Sequence, residues 1–240
     1  VRILCFPYAG GTAAFTHNWS KMLPEYVELL GVQYPAPEII EPQLRTPQII
    51  VDRIYREIHE QMDLPVLFFG YSLGATIAYE TCHRLSLEGL NAPSTLIVAA
   101  ARAPHLLRKR TNISDLSDTE FIAKLRSYGG TPESVLTDKA LMDHFLPYLR
   151  ADFATGEQYQ FSQSAPLLCP ITAIGGSSDR MVDHAAIADW KLHTSTSFNL
   201  YQLEGGHFFL NERPHSVISI VRDLAEQLVS PEPNRVYSVT

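Results

Sequence analysis

The sequence predicts an α/β fold: a mostly parallel central sheet flanked by helices, with an inserted helical lid. Three observations predict it. Short apolar runs alternate with helical patterns, the signature of βαβ units. One run, Val66-Leu67-Phe68-Phe69, has no polar alternation, as a strand covered on both faces requires. The alternation then lapses between Pro104 and Pro166, where the pattern is helical throughout.

The expected strands cover residues 3–6, 27–32, 66–69, 96–101, 171–174 and 198–203, each a short apolar run. Helices are expected at 18–23, 47–62, 73–87, 184–192 and 215–228. In the second of these, Ile50, Ile54, Ile58 and Met62 recur every four residues and form one apolar stripe. Within the helical stretch, Ser117 and Glu120 make a capping box ahead of Phe121, Ile122 and Leu125. Gly129-Gly130 should stop that helix, and Thr131-Pro132 should start the next with Pro at its first position. Leu141, Met142, Phe145, Leu146 and Leu149 give a further apolar face, expected to break or kink at Pro147. The expected division is a core of residues 1–103 and 166–230, a lid of 104–165 and a flexible tail of 231–240. An ordinary extra helical layer is the alternative to a lid.

Composition fits this scheme. The 240 residues are 45% hydrophobic and 19% charged, ample for one sizeable core. The net charge of −7 argues against nucleic acid or an anionic membrane as the main partner. Three widely spaced cysteines, Cys5, Cys82 and Cys169, form no disulfide framework and no C-x-x-C metal pair. Buried free thiols in a reducing cytoplasm are expected. No signal peptide opens the chain, and no run of 18 apolar residues offers a membrane span. Val1 already lies inside an apolar run, which suggests that a short native N-terminus has been trimmed.

The chemistry begins at Gly70-Tyr71-Ser72-Leu73-Gly74, a G-x-S-x-G pattern. It follows a buried strand directly and precedes a helix directly, the setting of a nucleophile elbow in an α/β-hydrolase fold. A serine hydroxyl needs a base, and the base needs an orienting acid. The order along the chain in this fold is Ser, acid, His. Only His207 and His215 follow the last strand; His207 comes directly after it in Gly205-Gly206-His207, whereas His215 falls in the final helix. Asp179 is the first carboxylate after the strand at 171–174, and Asp183 is the runner-up. The oxyanion should meet the backbone amide of Leu73 and one from the loop Pro7-Tyr8-Ala9-Gly10-Gly11, either Tyr8 or Ala9.

Phe6-Pro7-Tyr8-Ala9-Gly10-Gly11, the serine elbow, Ser178-Asp179 and Gly205-Gly206-His207-Phe208-Phe209 together resemble the stand-alone type II thioesterases of nonribosomal peptide and polyketide synthesis. Leu116-Ser117-Asp118, Gly129-Gly130-Thr131-Pro132 and Leu149-Arg150-Ala151-Asp152-Phe153 in the lid are similar to that family too. Tyr71 departs from it, since many members carry His before the nucleophile. The resemblance implies hydrolysis of acyl groups from the phosphopantetheine arm of carrier proteins, clearing stalled or wrongly primed units. It favours Ala9 as the second oxyanion donor and implies no metal and no cofactor.

Phe121, Leu125, Phe145, Leu146 and Phe153 could line an acyl pocket, although each also reads as a packing residue. Arg102, His105, Arg108, Lys109 and Arg110 form a basic run that could meet an acidic carrier protein or the arm's phosphate. A solvated connector is its other reading. The protein is expected to be a monomer. A small-molecule carboxylesterase or lipase, an acyltransferase and a non-catalytic binding module are the competing functions.

Overall fold

The computed structural model describes residues 1–40, 45–106, 112–162 and 165–229. Its strands are β1 Arg2–Phe6, β2 Glu28–Gly31, β3 Val66–Tyr71, β4 Thr95–Ala99, β5 Ile171–Gly176 and β6 Phe198–Leu203. They form one sheet in the order β2-β1-β3-β4-β5-β6, with every neighbouring pair parallel. All six expected strands are present, within a few residues of their expected bounds.

Side chains alternate across the sheet and feed two cores. Leu4, Phe6, Phe68 and Val98 pack with Ile54 and Ile77 on one face. Ile3, Cys5, Leu67, Phe69 and Ile97 pack with Trp19, Val217 and Val221 on the other. This two-residue period explains why β3 shows no polar alternation: both of its faces are covered.

The helices are α1 Pro47–His59, α2 Leu73–Leu87, α3 Asp118–Tyr128, α4 Glu133–Leu136, α5 Lys139–Glu157, α6 His184–Ala188, α7 Phe209–Glu212 and α8 Pro214–Val229. Helix α1 starts where Thr46 accepts the Ile49 amide, with Pro47 at its first position. It buries Ile50, Ile54 and Ile58 but ends at His59, before Met62. The helix expected at 18–23 is instead a 3₁₀ segment, Ala13–Lys21, capped by Thr12. The one expected at 184–192 tightens into 3₁₀ winding at Asp189–His193. That tighter turn holds the fully buried Trp190, whose indole donates to the Ala101 carbonyl at 2.8 Å.

Between β4 and β5 the described residues hold a short 3₁₀ turn at Ile113–Asp115 and helices α3 to α5. The Ser117–Glu120 capping box opens α3, and Gly129 ends it at φ 74°. Pro132 caps α4 from outside rather than occupying its first turn. Helix α5 runs through Pro147 without breaking. Leu146 and Leu149 pin it on either side of the proline, in a separate small core with Phe121, Leu125, Leu136 and Met142. Among the described residues, no helix is long and apolar enough to cross a membrane. The three cysteines are buried and unpaired. The tail 231–240 lies outside the described residues.

Candidate active site

The sheet order reverses between β1 and β3, because β1 has β2 on one side and β3 on the other. Loops leaving neighbouring strands at such a point diverge and open a crevice at the strands' C-terminal ends. The loop after β1 and the serine after β3 flank that crevice.

Ser72 sits between β3 and α2 at φ 52° and ψ −113°, a conformation that L residues seldom adopt. Its amide donates to the Ala99 carbonyl at 2.8 Å, which ties the elbow to β4. The flanking glycines permit the turn. A Cβ on Gly74 would lie 2.0 Å from the Phe6 carbonyl oxygen, and one on Gly70 would lie 2.5 Å from the Ala75 Cα. The serine is thereby lifted to the start of α2, whose first amides have no carbonyl partner within the helix.

His207 reaches this serine from the loop after β6. Its Nε2 lies 3.1 Å from Ser72 Oγ, and its Nδ1 lies 2.8 Å from Asp179 Oδ2. The Asp179 side chain is fully buried. Its second oxygen, Oδ1, accepts the amides of Met181 at 2.7 Å and Val182 at 3.1 Å. One carboxylate oxygen is therefore fixed by backbone while the other faces the imidazole. Asp183 does something different: it caps α6 by accepting the Ala186 amide at 2.7 Å. This geometry can move a proton from Ser72 Oγ to His207 Nε2, with Asp179 steadying the imidazolium.

The loop after β1 forms a tight turn. Gly11 N–H donates to the Tyr8 carbonyl at 2.8 Å, and Gly10 has φ +79°, which suits a type II turn with glycine at its third position. The Gly10 amide is taken by Asp152 Oδ2 at 2.8 Å. That leaves the amides of Tyr8 and Ala9 as the loop's candidate oxyanion donors, alongside that of Leu73 at the first position of α2.

The helical insertion touches this loop directly. Leu149 packs on Gly10, where an added Cβ would fall 2.2 Å from Leu149 Cδ2. Gly130 lies against the ring of Phe208, beside the catalytic histidine candidate. Phe208 also meets Tyr8 edge-on at 5.3 Å between ring centroids. Of the expected acyl-pocket residues, Phe121, Leu125 and Leu146 lie in the insertion's own core. Phe153 packs against that core and keeps some surface, and Phe145 is 40% exposed. Arg102 turns inward to the Met181 carbonyl at 3.0 Å, and His105 pairs with His193. Arg108, Lys109 and Arg110 lie outside the described residues.

Sequence reasoning gave no role to Asp152 or Arg45. Their side chains form a buried ion pair between α5 and the segment before α1. A signal was available: Asp152 falls three residues after Leu149, on the apolar face of α5. Burial pushes the Asp152 carboxyl up from its usual range, while Arg45 and the Gly10 amide pull it back.

The fold and its serine elbow define an α/β-hydrolase. At that elbow Ser72, His207 and Asp179 stand in one hydrogen-bonded run. The chain belongs to the thioesterase family, matching its thioesterase domain over residues 1–225. It is 34% identical to the gramicidin S biosynthesis protein GrsT of Aneurinibacillus migulanus, covering 97% of this chain and 91% of that one. The RedJ thioesterase from the prodiginine biosynthetic pathway in Streptomyces coelicolor superposes with a TM-score of 0.85 at 32% identity, over 93% of this chain and 90% of that one. The type II thioesterase BorB from the borrelidin biosynthetic cluster gives 0.84 at 33% identity, over 93% and 91%. The protein is thus a serine hydrolase acting on thioesters.

Proposed function

We propose that this thioesterase removes acyl groups from the phosphopantetheine arm of carrier proteins. The observation that carries the proposal is the run of contacts from Asp179 to His207 to Ser72, at 2.8 and 3.1 Å, on a strained elbow. Ser72 Oγ attacks the thioester carbonyl as His207 Nε2 takes its proton. The amides of Ala9 and Leu73 hold the oxyanion. The C–S bond breaks and the thiol leaves with the proton from His207. A water molecule, deprotonated by the same imidazole, then cleaves the acyl-serine ester, releasing the acid and restoring Ser72.

The helical segment 104–165 acts as a lid over this site, with Phe145 and Phe153 offering apolar surface to the acyl chain. Relatives that serve gramicidin S, prodiginine and borrelidin biosynthesis support a carrier-bound substrate. Arg108, Lys109 and Arg110 would meet the acidic carrier. Buried free thiols suit a cytoplasmic enzyme, which we take to work as a monomer.

Intact-mass measurement on acylated carrier proteins tests the reading. Wild type should remove the acyl mass, and Ser72→Ala should leave it in place. The same acyl group on coenzyme A or a short thiol should react with lower kcat/KM. Equal rates on carrier-bound thioesters and simple oxygen esters would favour a small-molecule carboxylesterase instead.

A further inference from the structure

Asp152 lies at the centre of a buried network joining three segments distant in sequence. Its Oδ2 accepts the Gly10 amide at 2.8 Å, and its Oδ1 faces Arg45 Nη1. Arg45 also donates to Thr155 Oγ1 at 3.3 Å and to the Pro35 carbonyl at 2.9 Å. Arg45 and Asp152 are 2% and 6% exposed, so both charges have lost their hydration. A buried ion pair is often no more stabilising than apolar residues of similar size. Stability alone therefore gives little reason for a charged pair here.

Geometry gives a better one. Type I and type II turns differ by a flip of their central peptide, which here is the Ala9–Gly10 unit. The N–H of that peptide is the group Asp152 holds. With it held, Gly10 keeps its φ of +79° and the whole turn, Ala9 included, is tied to α5. Leu149, on the same face of α5 as Asp152, closes on Gly10 from above. Two side chains of one helix thus clamp the turn, one by a hydrogen bond and one by contact.

We infer that Asp152 is a positioning residue for the oxyanion hole: it locks the turn that presents the Ala9 amide and couples that turn to the seating of α5. This rests on the reading of Ala9 as an oxyanion donor. When α5 sits down, the turn is anchored and the Ala9 amide is held in place; when it lifts, the turn loses that anchor and the donor its fixed position.

Two double variants of the full chain separate positioning from anchoring. Arg45→Met/Asp152→Asn removes both charges but keeps an acceptor for Gly10. Arg45→Met/Asp152→Leu removes the acceptor as well. The first should keep kcat within about threefold of wild type. The second should lose about 30- to 100-fold in kcat with KM little changed, on the scale of one oxyanion donor. Affinity for a trifluoromethyl ketone, whose hemiketal oxyanion occupies the hole, should fall in step. If both variants lose activity equally, in proportion to Tm, or if neither does, the inference is overturned.

A third variant tests the reading underneath. Proline suits the second position of a type II turn, so Ala9→Pro deletes the N–H with little other change. If Ala9→Pro leaves kcat and ketone affinity intact, Ala9 is not the donor and the underlying reading fails. If Ala9→Pro loses both while the leucine variant keeps them, the inference about Asp152 fails alone. Should the leucine variant not fold, the asparagine variant decides: near-wild-type kcat supports the inference, and a folded protein more than about tenfold slower overturns it.

Discussion

The phenolic hydroxyl of Tyr71 donates a 2.6 Å hydrogen bond to the backbone carbonyl of His207. Tyr71 immediately precedes Ser72, so one buried side chain ties the strand that leads to Ser72 to the loop that carries His207. The Leu210 amide donates to the same phenolic oxygen at 3.4 Å, extending the tie to α7. Burial pushes the phenol far above its usual value, which keeps it a neutral donor. This is the position at which the sequence departs from the histidine common among the type II thioesterases it resembles.

Tyr71→Phe should keep the aromatic packing with Tyr8 and Phe209 while leaving the His207 carbonyl unpaired. An orphaned buried acceptor costs about 1–3 kcal/mol. Urea unfolding should read that loss. Steady-state kinetics should show kcat down by about tenfold, as the imidazole loses part of its support. Unchanged kcat beside a clear stability loss would make the tie structural only.

Ser72→Ala and Ser72→Gly should both be inactive, but they should differ in stability. Alanine keeps the Cβ strained at φ 52°, whereas glycine relieves a strain on the order of 1–3 kcal/mol. The glycine variant should therefore match or exceed the alanine variant in urea midpoint, reversing the usual order. Residual thioester turnover above about a thousandth of wild type in either would remove Ser72 from the mechanism.

The two aspartates should separate cleanly. Asp179→Asn should cut kcat by about 10⁴, since the imidazole loses its orienting and charge-stabilising partner. Asp183→Asn should leave kcat within about twofold and change stability only slightly, because asparagine also caps helices. Asp183→Ala should lose about 1 kcal/mol in urea unfolding, again with kcat kept. A large loss of kcat in the Asp183 variants, with Asp179→Asn active, would reverse the assignment.

The strand runs were legible because a parallel sheet covered on both faces demands unbroken apolar stretches, as at Val66 to Phe69. The serine, aspartate and histidine positions could be read because each follows a strand directly, where the chain must emerge at one edge of the sheet. What sequence could not give was set by contacts across long separations. Asp152 meets Gly10 across 142 positions, and nothing local marks that pairing beyond a carboxylate on an apolar face. Nothing local to Tyr71 marks its bond to the His207 carbonyl, 136 positions away. The 3₁₀ winding at Asp189–His193 likewise depends on where Trp190 must reach, a tertiary demand that overrides local propensity.

That same segment carries the last prediction, an acid limit on stability. His193 is buried, with Nδ1 3.0 Å from the Tyr79 hydroxyl and Nε2 2.7 Å from His105 Nδ1. Trp190 and Phe161 pack their rings beside it. Burial, then His105 and His83, push its pKa down to about 4, with Asp189 acting weakly the other way. Unfolded, the imidazole would titrate near 6.5. Between these values the unfolded chain holds a proton that the folded chain refuses. The contribution is thus complete above about pH 6.5 and is lost as pH falls toward 4, up to about 3 kcal/mol. Urea unfolding at several pH values across that window should show the loss. His193→Gln, which keeps a neutral polar group, should start less stable at pH 7.5 yet decline less steeply on acidification. His105 lies where the chain enters the helical insertion and Phe161 near where it leaves, so acid should loosen both connections together. Parallel decline of wild type and variant would place the acid sensitivity elsewhere.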